Sequence, residues 1–123
     1  MFNEGKAYSP VELTMEVLGG KWKPLIIFHL LPGMLRFNQL QRLMPLVTQR
    51  MLTKYLRELE SYGVIHREVY AEVPPRVEYT LTPLGYSLQP VLDAITSWGL
   101  AYLQTHPEIT MNSPADMIKK PKI

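Results

Sequence analysis

Between Asn38 and Gly63 the chain reads NQLQRLMPLVTQRMLTKYLRELESYG, and the breaks in this stretch leave little conformational freedom. Leu40, Leu43 and Met44 lay one apolar stripe along a short helix. Pro45 stops that helix, because it has no amide hydrogen and its ring collides with the preceding turn. The spacing predicts Asn38 as the cap of this helix, with Gln41 three residues on as its capping-box partner. A longer helix over 48–62 starts on Thr48 as cap and ends at Gly63, which is free to take positive φ. Leu52, Leu56 and Leu59 recur at i, i+4 and i+7, so one face of the second helix is buried. Arg50, Thr53, Lys54 and Arg57 occupy the opposite face, with Gln49 just before them. Two helices joined by a tight turn, the second basic on its exposed side, describe a helix-turn-helix.

The charge order in the second helix is unusual. Its cations come early and its acids, Glu58 and Glu60, come late. The helix dipole favours the reverse by ~0.3–1 kcal/mol per charge. A helix whose first half must meet a polyanion accounts for this order. So does a solvated face with Lys54 and Glu58 as an i,i+4 pair. On this helix alone both readings stay open.

A chain of 123 residues is enough for one domain with one core. Its net charge of +2 is too small to imply nucleic acid by itself, so any such signal must lie in charge placement. Without cysteine there is no disulfide, thiolate zinc site or thiol switch. The N-terminus lacks the charged-then-apolar pattern of a secretory signal, and the apolar runs are too short to span a membrane. The expectation is a cytoplasmic, soluble protein with no membrane partner.

Ser9-Pro10-Val11-Glu12 reads as a helix start: Ser as cap, Pro at the first helical position, Glu completing a capping box. Val11, Met15 and Leu18 form its stripe, and Gly19-Gly20 ends it. KWKPLIIFHLL follows, apolar nearly all round, as a helix buried on most sides requires. Pro32-Gly33 is a turn, and a few residues of strand fit between Met34 and Phe37. After Gly63, residues 65–81 alternate with period two on either side of Pro74-Pro75, which predicts a hairpin with a stiff, wide tip. Thr82-Pro83 opens a last helix with Leu84, Leu88, Val91, Leu92, Ile95, Trp98 and Tyr102 at helical spacing, and Pro90 is expected to kink it. His106-Pro107 ends it. Residues 1–106 are thus expected to form the folded domain, and 107–123, rich in Pro and Lys, a flexible tail. The fold class is mainly α with a small β hairpin: helix, helix, short strand, helix, helix, hairpin, helix. That is the order of a winged helix-turn-helix with a terminal dimerisation helix.

Several runs in the chain resemble the HxlR-type winged-helix transcriptional regulators, relatives of the MarR group. They are Leu18-Gly19-Gly20-Lys21-Trp22, Arg36-Phe37-Asn38-Gln39-Leu40 and Leu56-Arg57-Glu58-Leu59-Glu60. Val73-Pro74-Pro75-Arg76-Val77-Glu78-Tyr79, Leu81-Thr82-Pro83-Leu84-Gly85, Val91-Leu92-Asp93 and Trp98-Gly99 follow in family order. The resemblance implies a homodimer on a palindromic operator in double-stranded DNA. It also implies helix 48–62 in the major groove and the wing, 65–81, at the adjacent minor groove. Many members carry a cysteine where this chain has Ser9, so a thiol switch does not carry over.

Gln49, Arg50, Thr53 and Lys54 lie on the first turns of the second helix, where base edges are reachable, and each bidentate base contact gives ~1–3 kcal/mol of discrimination. The alternative is phosphate contact alone, which is the expectation for Arg57. Arg76 follows the rigid tip and suits a narrow minor groove; its alternative is an ion pair with Glu72 or Glu78. Lys23 and Arg36, like Arg42, are candidate phosphate contacts or plain surface cations. Val11, Met15, Leu92, Ile95, Trp98 and Tyr102, with Leu103, offer more apolar surface than one small domain covers and are expected at a dimer interface. A cleft near Trp22, Phe28 and Trp98 is the expected place for a small apolar effector. His29 reads as a semi-buried core histidine, and His66 and His106 stand apart from it, so no metal or other cofactor is assigned. No catalytic constellation stands out, which excludes an enzyme and leaves a protein-binding winged-helix module as the alternative function.

Overall fold

The computed structural model describes residue 2 and residues 4–110. The expected tail beyond 110, with Lys119, Lys120 and Lys122, lies outside the described residues.

Helix α1 (Pro10–Leu18) begins with the expected capping box. The Glu12 amide donates to the Ser9 hydroxyl at 3.1 Å, and the Ser9 amide donates to the Glu12 carboxylate at 3.0 Å. These bonds from Ser9, backbone first, hold the Glu12 carboxyl below its ordinary pKa. Helix α2 (Lys23–Leu30) packs against α1, a third and a fourth helix, the terminal helix and the sheet. Contact on so many sides explains why it is apolar nearly all round, with Ile26, Ile27 and Leu30 fully buried.

A two-residue strand, β1 (Leu35–Arg36), leads into α3 (Phe37–Leu43). Asn38 is not the cap of α3. The helix starts earlier, and the Gln39 carboxamide accepts from the Arg36 amide at 2.8 Å. Asn38 sits exposed inside the first turn, and Gln41 donates its side-chain N–H across the turn to the Val47 carbonyl. Helix α4 (Gln49–Ser61) begins as expected, with the Thr48 hydroxyl accepting from the Met51 amide at 3.1 Å. Leu52, Leu56 and Leu59 are buried, and Gly63 takes φ 81° just past the C-terminus.

Strands β2 (Ile65–Tyr70) and β3 (Arg76–Leu81) form the wing, and β1 joins the other edge of β3 in an antiparallel sheet ordered β1-β3-β2. The register pairs Ile65 with Leu81, Tyr70 with Arg76 and Leu35 with Tyr79. The alternation in β2 does not become alternating burial: only Ile65 is buried, and Val69 is exposed.

The expected single terminal helix is two. Helix α5 (Pro83–Tyr86) is capped by Thr82, whose hydroxyl accepts from the Gly85 amide at 3.1 Å and donates to the Gly63 carbonyl at 2.6 Å. A side chain at Gly85 would strike the Val64 carbonyl, which holds α5 against the end of α4. Helix α6 (Gln89–Thr105) then starts afresh, and Pro90 lies in its first turn, where the missing amide hydrogen has no partner to lose. Pro90 therefore separates two helices and does not kink one.

Candidate nucleic-acid interface

The exposed face of α4 carries the cations Arg50, Lys54 and Arg57. Gln49, Arg50, Thr53, Lys54 and Arg57 line one open trough along it, so the sequence-predicted set is brought together. Among the described residues, Arg50, Lys54 and Arg57 make no ion pair. The Thr53 hydroxyl donates to the Gln49 carbonyl at 2.8 Å, which leaves only its lone pairs for an outside partner. The Lys54–Glu58 pair of the alternative reading does not form, because Glu58 turns toward Lys23.

Lys23 corrects the sequence reading. It is 7% exposed, with its ammonium 3.6 Å from the Glu58 carboxylate and 5.3 Å from the centre of the Tyr62 ring. An ammonium enclosed in this way does not face a phosphate. Tyr62 is also met by the Phe2 ring at 5.3 Å. Burial, then the carboxylates of Glu16 and Glu58, push the Tyr62 phenol up.

Arg76 takes the alternative named for it. Its guanidinium lies 3.0 Å from Glu72 and 3.6 Å from Glu78, and over the Tyr70 ring at 4.0 Å. The tip of the wing is instead the apolar run Val73-Pro74-Pro75, with Val73 fully exposed. Arg36 remains exposed in a groove of about 460 Å³ shared with this tip. Arg67 is a residue that sequence reasoning missed. It lines a cleft of about 160 Å³ between α4 and the wing, together with Thr53, Arg57 and Glu60. Its period-two position on the Ile65 side of β2 was the available signal, since that side turns toward α4.

The apolar candidates divide. Leu92 is buried in the core of the protomer, so it does not belong to an exposed interface. Val11, Met15, Ile95, Trp98 and Tyr102 are exposed, Trp98 by 69%. Trp98 stacks on Tyr102 at 5.2 Å, and Tyr102 on His106 at 3.9 Å, a ladder of rings along α6. An apolar cleft of about 470 Å³ opens between α2, the α3–α4 turn and α6. Trp22 and Phe28 line it as expected, but Trp98 does not. His29 borders it, and burial pushes its imidazole down from the ordinary value. Among the described residues no three His, Cys, Asp or Glu side chains could hold a metal, and no helix is long and apolar enough to cross a membrane.

A helix-turn-helix whose second helix runs straight into a β hairpin on the edge of a three-stranded sheet is a winged helix-turn-helix, the architecture of a DNA-binding protein. The chain belongs to the HxlR-like helix-turn-helix family, which residues 17–107 match. It is a DNA-binding transcriptional regulator of that family and not an enzyme. The HTH-type transcriptional regulator YdeP of Bacillus subtilis is 55% identical over 93 residues, covering 76% of this chain and 73% of the relative. An HTH-type transcriptional regulator of Methanothermobacter thermautotrophicus is 56% identical over 92 residues, covering 75% of this chain and 70% of the relative. Among solved structures, the redox regulator HypR in its reduced form superimposes with a TM-score of 0.77 at 48% identity, over 82% of this chain and all of that one.

Proposed function

We propose that the protein acts in the cytoplasm as a homodimer on a palindromic operator, with α4 in the major groove of each half-site and the wing beside the adjacent minor groove. One observation carries the reading: Arg50, Lys54 and Arg57 on the exposed face of α4 have no carboxylate partner among the described residues, while the opposite face of the helix is locked into the core. In this arrangement Arg50 reads base edges with Gln49, Thr53 and Lys54, and Arg57, Arg67 and Arg36 take phosphates. The exposed rings of Trp98 and Tyr102, with Val11, Met15 and Ile95, favour a second copy as the partner that covers them. Two α4 helices held about one helical turn of DNA apart would then meet the two half-sites.

Selection of bound duplexes from random sequence, followed by a salt titration, tests this reading. The expected result is a palindrome bound with affinity that falls steeply with salt, at ~0.9 decades per decade of salt for each phosphate neutralised. A recovered site without symmetry, or a flat salt response, overturns it. Trp98→Glu separately tests the dimer: sedimentation should show a monomer, and operator binding should collapse.

We also infer that the cleft between α2, the α3–α4 turn and α6 takes a small apolar effector. No charged side chain lines it. A ligand wedged there would alter how α6 sits against the reading module, and so the spacing of the two α4 helices. HypR is a redox regulator, but this chain has no cysteine to carry thiol chemistry. An uncharged aromatic probe such as a naphthol should quench Trp22 and weaken operator binding together. Quenching without any change in operator affinity overturns the regulatory role.

A further inference from the structure

We propose that Lys23 and Glu58 form a positioning pair that sets the angle at which α4 meets DNA. The proposal rests on the reading of α4 as the helix that enters the major groove. It also accounts for one of the two late acids that the helix dipole disfavours. Glu58 lies in the second half of α4 because an ammonium from the central helix needs a partner there. The two side chains are unequally buried, 9% exposed for Lys23 and 38% for Glu58. Lys23 therefore depends on the contact far more than Glu58 does. Its ammonium also faces the Tyr62 ring at the C-cap of α4, so two side chains of one helix converge on a single charge from another.

Packing alone leaves this angle loosely defined. Leu52, Leu56 and Leu59 are buried in the core by contacts that tolerate small rotations, since dispersion has little direction. An enclosed ammonium is less tolerant: a rotation that draws Glu58 or the Tyr62 ring away leaves a buried charge unpaired. The lever is long. Arg50 precedes Glu58 by about two turns of helix, roughly 12 Å of rise, so a tilt of about 10° about Glu58 carries Tyr62, about 6 Å beyond it, roughly 1 Å from the Lys23 ammonium and moves Arg50 by about 2 Å. That shift exceeds what a base-edge hydrogen bond tolerates, whereas a phosphate contact on a flexible side chain follows it. The pair therefore governs sequence preference more than total affinity.

The test compares wild type with Glu58→Gln and with Lys23→Met/Glu58→Met. In the double variant no charge is stranded, so it retains its fold. Three quantities are read: the thermal midpoint, the ratio of operator to random-duplex affinity, and the salt slope. The double variant should melt within a few degrees of wild type, lose about tenfold in the affinity ratio, and keep its salt slope. Glu58→Gln should lose as much of the ratio and also melt earlier. A double variant with an unchanged ratio overturns the proposal and leaves the pair a purely structural role. So does a salt slope reduced by about one, which would make Lys23 a phosphate contact. A wild-type protein without salt-dependent DNA binding would instead remove the reading on which the proposal rests, an outcome visible before any variant is made.

Discussion

On α4, Arg50, Lys54 and Arg57 face solvent with no carboxylate partner among the described residues; on the wing, Arg76 is held by two carboxylates and a ring. Both regions are exposed, both carry cations, and both follow the turn of the helix-turn-helix. The difference lies in whether the charge is already satisfied within the protomer. An unpaired arginine keeps its full donor set for a partner, whereas Arg76 must first leave Glu72 and Glu78. The negative charge around it also acts on Tyr70, whose phenol is raised chiefly by the Glu78 carboxylate. The helix thus presents charge, and the wing presents the apolar edge Val73-Pro74-Pro75. The proposed division of roles therefore rests on the absence of an internal partner and not on exposure alone.

The largest break in this contrast is expected from Arg50→Ala. It removes a fork that can read a base edge, at ~1–3 kcal/mol, or roughly fivefold to 150-fold in operator affinity. Random duplex should be affected much less, so the sequence preference flattens. Competition binding with operator and random DNA measures both. Equal losses on the two would make Arg50 a phosphate contact.

Next in size is the start of the same helix. Thr48→Ala removes the cap that fixes the first turn of α4, and should cost about 1 kcal/mol in urea unfolding. Asn38→Ala should cost less than about 0.5 kcal/mol, because Asn38 is an exposed position inside α3. Reversed magnitudes would return the cap to Asn38.

That pair of variants also marks what the sequence made legible. Features set by neighbours a few residues apart were readable: the Ser9–Glu12 box, the Thr48 cap, the Leu52-Leu56-Leu59 stripe, Gly63 past the end of α4. The Asn38 cap failed by two positions, because Gln39 caps through its own side chain onto the Arg36 amide and the helix begins earlier. The kink expected at Pro90 failed for a similar reason: a proline starts a helix or bends one according to whether the preceding turn closes. Here it closes, with the Leu88 amide bonded to the Gly85 carbonyl at 3.1 Å. The trough on α4 was legible because helical spacing alone gathers its members. The fate of Lys23 was not, since its partner lies on another helix far along the chain. For Arg76 the sequence offered two readings, and the hairpin, with Tyr70 opposite Arg76, brings its carboxylate and ring partners within reach.

Arg57→Ala should give a smaller, more uniform effect than Arg50→Ala. Arg57 lies further along α4, beside Arg67 in the cleft facing the wing. Loss of one phosphate contact lowers the salt slope by about 0.9, so the variant should lose about 3.5-fold less affinity than wild type between 50 and 200 mM salt. Operator and random DNA should respond alike. An unchanged slope would assign Arg57 to the protomer and leave Arg67 as the only cation of that cleft available to a phosphate.

Arg76→Gln should have the smallest effect and is the sharpest test of the contrast. A guanidinium held between Glu72 and Glu78 contributes to the shape of the wing, and partly exposed pairs of this kind stabilise by only ~0–1 kcal/mol. Operator affinity should therefore change by less than about twofold, with an unaltered salt slope, because no phosphate contact is lost. The wing itself should loosen, and faster amide exchange along β3 would record that. The opposite outcome is equally specific. A tenfold loss with a slope lower by about one would mean that the guanidinium leaves both carboxylates for the groove. In that case DNA would be a stronger partner for Arg76 than Glu72, Glu78 and the Tyr70 ring together, and the helix and the wing would bind by the same means.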